Sequence, residues 1–290
     1  MAFYEGKEPV VTMIDRIIER LTSTPQGSVD PFWRRVESGG YQAEGCILKS
    51  TGKSGTDAIF VRLKQNSNTG IDFSMIEDYQ PNVVQGLVGV TTNEGPIHTF
   101  QWGTGAQPVG ASINYWLSFD KDKIILTVQG DRAVTTSFKN VLFIGLPERL
   151  YTPRAGSPSA VAHFVSRYAD INLTGSSSSG DAIRGIGRGL RDRSRGALPY
   201  YRTVAMTKWK SKGWGGVVLP SDIFMYHVDQ EGLRARMDGV KCLTNSASGD
   251  FRDGEEITVG SKRYIVHQAW SAGSRQNCFP TDWLAVEKIQ

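Results

Sequence analysis

Near the start of the chain, apolar residues fall at helical spacing: Val10, Met13, Ile14, Ile17, Ile18 and Leu21, with Asp15, Arg16, Glu19 and Arg20 between them. That stripe predicts one amphipathic helix over 10–21. Pro9 suits its first turn, where the missing N–H is no loss. The apolar face has two places to go, the chain's own sheet or a neighbouring subunit. Its own core is favoured, because most such stripes are internal.

From Phe32 to Gly145 the period changes to short β-branched and aromatic runs separated by Gly, Asn, Asp and Ser. This pattern predicts strands at Cys46–Lys49, Ala58–Lys64, Ile71–Met75, Ile97–Trp102, Ile113–Phe119, Lys123–Val128 and Phe138–Ile144. The clearest hairpin joins the strand ending at Phe119 to the one beginning at Ile124 through Asp120-Lys121-Asp122-Lys123, a loop of turn-forming residues. Pro147 to Pro158 carries three prolines, and Gly175-Ser176-Ser177-Ser178-Ser179-Gly180 has no apolar area to bury; a connector is expected there. Strand-like runs return at Ile257–Val259, Arg263–Gln268 and Trp283–Ile289.

The expected fold is mainly β: a sandwich- or barrel-like β domain with an N-terminal amphipathic helix, plus a smaller β-rich C-terminal region. The expected organisation is helix and β domain over 1–150, a flexible connector rich in Pro, Ser, Gly and Arg over 151–196, and the C-terminal region over 197–290. No repeat of fixed period is visible.

Composition adds bounds. A chain of 290 residues buries a core without metal or disulfide help. Its 32 glycines and 10% aromatics suit many short strands and turns. A net charge of +4 is too small to imply nucleic-acid binding over the whole surface. Cys46, Cys242 and Cys278 are odd in number and far apart, which predicts reduced thiols and no disulfide framework. No signal-peptide pattern and no run approaching roughly 18 apolar residues is present. The expectation is therefore a chain made in the cytoplasm, with no membrane partner. Asn172-Leu173-Thr174 matches a glycosylation pattern but lacks a secretory route.

Candidate chemistry is sparse. Ser50-Thr51-Gly52-Lys53-Ser54-Gly55 contains the Gly-Lys-Ser of a phosphate loop, yet Ile47 stands where the motif needs its first glycine, and no helical pattern follows. Gly185-Ile186-Gly187-Arg188-Gly189 resembles a dinucleotide fingerprint with the third glycine one residue early and no strand predicted before it. His98, His163, His227 and His267 are scattered without zinc-site spacing. Gly-x-Ser-x-Gly is absent, and Asp120, Asp122, Glu255 and Glu256 sit in predicted turns as solubilising charges. The seven tryptophans are expected mainly in cores, with carbohydrate binding as the alternative. No catalytic residue, metal ligand or cofactor is expected, and the chain is expected not to be an enzyme.

The one feature pointing to a partner is basic: Arg184, Arg188, Arg191, Arg193 and Arg195, opposed by Asp181 and Asp192. A glycine-interrupted, arginine-rich arm contacts acidic protein surface or nucleic acid and orders on binding. Three glycines break its helical spacing and few aromatics interleave, which favours a solvated or protein-contacting loop over a nucleic-acid arm.

Three stretches resemble a family of virion structural proteins of contractile-tailed bacteriophages. They are Phe32–Val36 with Ile47–Val61, including Gly55-Thr56-Asp57-Ala58-Ile59-Phe60-Val61; Tyr115–Ile125 running on to Val141–Gly145; and Ile257–Gln268 leading to Trp283–Val286. The stretch from Pro153 to Gly196 lies outside the resemblance. The resemblance implies a structural role in a virion, in a homo-oligomeric ring at the neck or tail-end junction, with neck, tail tube, sheath or baseplate subunits as partners. It carries over no site residues. A baseplate component and a host-surface or carbohydrate-binding module remain as alternatives.

Overall fold

The computed structural model of the chain describes residues 2–38, 45–68, 70–80, 90–94, 98–102, 108–129, 139–150, 161–165, 183–186, 200–205, 219–227, 233–244, 251–252, 254–268 and 283–288. Strand β1 (Ala2–Pro9) passes through a 3₁₀ turn, Val10–Thr12, into helix α1 (Met13–Thr22). A first run of strands follows: β2 (Arg34–Ser38), β3 (Cys46–Ser50), β4 (Ile59–Asn66), β5 (Gly70–Gln80), β6 (Val90–Glu94) and β7 (His98–Gln101). Next come β8 (Ser112–Phe119), β9 (Lys123–Gln129), β10 (Lys139–Gly145), β11 (Glu148–Arg149), β12 (Val161–Val165), β13 (Ile183–Ile186) and β14 (Tyr200–Ala205). The last run is β15 (Leu219–His227), β16 (Leu233–Thr244), β17 (Glu256–Val259), β18 (Lys262–Gln268) and β19 (Trp283–Glu287).

The fold is mainly β, as the periodicity predicts, with one short N-terminal helix. Strands β2 to β6 form an antiparallel sheet in sequence order, with β7 also paired to β5. The larger sheet runs β1-β8-β9-β10-β12-β13-β14-β15-β16-β19-β18-β17, with β11 paired to β16. Among the described residues its path does not close into a barrel, since β1 and β17 stand at its two ends. The segment 151–196, expected as a connector, contributes β12 and β13 to that path. Val161-Ala162-His163-Phe164-Val165 is a β-branched and aromatic run, a strand signal that its Pro, Ser and Gly neighbours obscured.

Helix α1 covers the main core. Met13, Ile14, Ile17, Ile18 and Leu21 are all buried, each worth roughly 1.5–3 kcal/mol of apolar transfer. They join Leu48, Val61, Phe73 and Phe100 of the smaller sheet, Trp102 just after it, and Ile113, Tyr115, Leu117, Phe119, Leu126 and Ile144 of the larger one in a single apolar cluster. The sequence placed the helix start at Val10; the structure gives Val10–Thr12 to the 3₁₀ turn first. Its end is set by Ser23, whose extended backbone stops the helix while its N–H donates to the Glu19 carbonyl at 2.9 Å.

Strands β8, β9 and β10 form a middle layer. Residues facing away from the helix, including Ser118, Ile125, Thr127, Val141 and Phe143, are buried as well, and they lie opposite one another in register. The C-terminal strands cover that second face. Ser118 Oγ donates to the Glu287 carbonyl at 2.8 Å, and the Trp116 and His267 rings lie 4.7 Å apart. A Cβ on Gly239 would stand 2.8 Å from Ile125 Cδ1. Burial on both faces is why Ile124-Ile125-Leu126 and Val141-Leu142-Phe143-Ile144 read as continuous apolar runs instead of alternating ones. No helix among the described residues is long and apolar enough to cross a membrane.

Candidate functional site

The densest polar constellation among the described residues lies where the β8–β9 turn meets the loop after β3. Asp120 is 2% exposed and organises the turn: its Oδ1 accepts the N–H groups of Asp122 at 2.8 Å and Lys123 at 3.1 Å. The Asp120 N–H donates to the Lys123 carbonyl at 3.0 Å, and the buried Trp33 Nε1–H donates to the Asp120 carbonyl at 2.8 Å. An aspartate side chain bonding backbone N–H groups two and three residues ahead is what makes this residue a turn former.

The Gly-Lys-Ser loop docks onto that turn. Gly52 has φ 66, and a Cβ there would collide with the Asp57 carboxylate, so only glycine is unstrained at this position. The turn it opens is closed by Asp57 N–H to the Thr51 carbonyl at 2.9 Å and by Ser54 Oγ to Asp57 Oδ2 at 2.7 Å. Ser50 Oγ then donates to the Lys121 carbonyl at 2.5 Å, and the Lys53 N–H to Asp122 Oδ1 at 2.7 Å. Lys53 Nζ stands 2.7 Å from Asp120 Oδ2 and 3.2 Å from Asp122 Oδ2. The lysine that a phosphate loop would aim at phosphate is thus paired with two aspartates of the same chain. Burial by itself would lower the Lys53 pKa; Asp120 and Asp122 override it and raise that pKa above the usual lysine value.

From the turn the charges continue inward. Lys123 is 2% exposed and its Nζ donates to Asp238 Oδ2 at 2.6 Å. Lys262 Nζ lies 3.5 Å from Asp238 Oδ1 and 2.9 Å from Glu287 Oε2. Burial pushes the Asp238 carboxyl up, but Lys123 and Lys262 more than reverse this and hold it at about 2. Beside it, burial, reinforced by Glu287, pushes the Tyr264 hydroxyl up to about 12. A second knot ties β11, β15 and β16: Asp222 pairs with Lys241 at 2.5 Å and Arg236 at 3.1 Å, and Arg236 also pairs with Glu148. Chemically, both clusters are lines of alternating charge in which each group neutralises its neighbours and ties strands distant in sequence.

Of the five arginines expected to contact a partner, Arg184 lies in β13, which pairs with β12 and β14. Arg188, Arg191, Arg193 and Arg195 lie outside the described residues. Cys46 is buried and free, with burial pushing its thiol up. Trp33, Trp102 and Trp283 are core residues. Among the described residues no group of three or more His, Cys, Asp or Glu is placed to hold a metal ion.

One expectation is corrected. Asp120 is not a solubilising surface charge but a buried carboxylate whose Oδ1 accepts two backbone N–H groups and whose Oδ2 stands 2.7 Å from the Lys53 ammonium. Glu256 likewise sits in strand β17 rather than in a turn, paired with Arg263 and Lys288 at 2.9 Å each. Sequence reasoning missed the Asp120–Lys123–Asp238 line because Asp238 lies 115 residues beyond Lys123. A signal was nevertheless present in Lys123, a lysine flush against Ile124-Ile125-Leu126, where a strand buried on both faces leaves its end no water.

No protein-family model matches the chain, and no curated protein matches it. The class that fold and site define is therefore drawn from geometry: a layered β scaffold whose best-formed polar constellation ties its own strands together.

Proposed function

We propose that the chain is a non-enzymatic structural subunit of the virion of a contractile-tailed bacteriophage. In this reading it is made in the host cytoplasm and assembled into a ring at the neck or tail-end junction, against tube, sheath or other neck subunits. The observation that carries the reading is where the three resembling stretches come together. The loop within Ile47–Val61 docks through Lys53 on the turn within Tyr115–Ile125. That second stretch meets the third through Trp116 with His267, and its Ser118 bonds Glu287, the residue that follows the third. Residues that carry the likeness are therefore the residues that hold this scaffold together, as expected of a family whose shared property is a shape.

Gold-labelled antibody against the chain, applied to intact particles from the producing cells and viewed by electron microscopy, tests the reading. Label at the head–tail junction is the expected result. Label at the distal tip moves the chain to the baseplate, and its absence from purified particles by mass spectrometry overturns the virion role.

A further inference from the structure

Strand β1 ends the larger sheet and is paired on one side only among the described residues, through eight residue pairs with β8. Its middle, Glu5-Gly6-Lys7, is exposed. Gly6 has no side chain, so its exposure is exposure of backbone. One face of that glycine is closed, since a Cβ there would stand 3.0 Å from the Tyr115 ring. What lies open is the other face and the edge. An eight-residue strand without a bulge against its partner is a template for another strand.

We propose that β1 pairs antiparallel with β1 of a second copy of this chain, about a two-fold axis through Gly6. Register follows from the side chains. In an isologous antiparallel pair, opposed residues share a face, so the axis must pass through a residue and not between two. Centred on Gly6, Glu5 of each copy faces Lys7 of the other, giving two cross-strand ion pairs, and Tyr4 faces Glu8. Centred on Glu5, two carboxylates meet; centred on Lys7, two ammoniums meet. Only the Gly6 register is complementary, and it runs from Phe3 to Pro9. Beyond Pro9 the chain leaves the strand for the 3₁₀ turn, which ends the pairing. Glu5 and Lys7 are available for this role, as neither has an ion-pair partner among the described residues. Their face is the one bearing Phe3, opposite Ser118 in register, and so lies away from α1. The inference rests on the open edge alone and is independent of where in a particle the chain sits.

Sedimentation of the purified full chain over a range of concentrations is the test, with amide exchange of residues 4–8 followed in parallel. A reversible dimer is expected, with exchange across 4–8 slowing as it forms. Glu5→Lys and Lys7→Glu each turn two attractions into two repulsions and should weaken the dimer about tenfold or more. The doubly exchanged variant, Glu5→Lys with Lys7→Glu, restores both pairs and should recover association to within a few fold of the original. Both residues are exposed, so folding is unaffected, and the double variant keeps the test decisive should one single variant fold poorly. A chain monomeric at every concentration, single variants that associate unchanged, or a double variant no better than the singles overturns the proposal.

Discussion

The Ser118 hydroxyl donates to the Glu287 carbonyl at 2.8 Å, closing a separation of 169 residues with one hydrogen bond. It marks the place where the last described strand is laid over the middle layer, and it is buried. Ser118→Ala removes the donor without adding bulk, so a loss of about 1 kcal/mol is expected. Urea denaturation checks it: the midpoint should fall with the slope unchanged.

Gly145 closes the other end of the same turn. Its φ is 142, and an added Cβ would strike the Asp122 carbonyl oxygen and stand 2.6 Å from Lys123 Cα. The Leu146 N–H donates to that Asp122 carbonyl at 2.8 Å, so the turn cannot retreat without losing a hydrogen bond. Gly145→Ala should cost about 2–4 kcal/mol. Gly254 is the control, with φ 81 and open space around it; Gly254→Ala should cost about 1 kcal/mol. Equal losses in thermal unfolding would show that the close approach at Gly145 has no energetic weight.

Asp238 gives the fold an acid-sensitive joint. Its carboxyl is held at about 2 against an ordinary 3.8, so its ionised form favours the folded state. That contribution is complete above about pH 4 and is lost as pH falls through about 2. The side chain is 30% exposed, and after solvent screening the contribution is on the order of 1–2 kcal/mol. Stability measured from pH 5 to pH 2 should show wild type ahead of Asp238→Asn at the upper end and the two converging at the lower. A constant difference across that range would refute the assignment.

Lys53 separates two meanings of the Gly-Lys-Ser segment. Its side chain is 49% exposed and paired with Asp120 and Asp122, so Lys53→Met should cost about 1 kcal/mol or less. Titration of ATP into the wild-type chain should give no saturable heat, because the ammonium is neutralised within the chain. A saturable signal that disappears in Lys53→Met would reinstate a phosphate site.

Much of the fold was legible wherever periodicity met burial. The hairpin from Ser112 to Gln129 and the last three strands, β17 to β19, appear within a residue of their expected starts, whereas β14, β15 and β16 had no expected bounds. Strand β1 was not legible: its exposed middle, Glu5-Gly6-Lys7, has no alternation for a core to impose. Strands β12 and β13 were hidden for a different reason, being short runs set among Pro, Ser, Gly and Arg. The polar constellation was half legible. Exclusion of a phosphate loop followed from one misplaced glycine, whereas the partners of Lys123 and Asp120 depend on pairings across 115 and 87 residues that no local pattern encodes.

The middle layer also imposes an order of events during synthesis. Strands β8 to β10 emerge with two greasy faces, and α1 and the smaller sheet, already made, can cover just one of them. The other waits for β19, more than a hundred residues later, and at translation rates of roughly 5–20 residues per second that wait lasts several seconds or longer. Nascent chains of this protein should therefore be clients of holding chaperones until Trp283–Glu287 clears the ribosome.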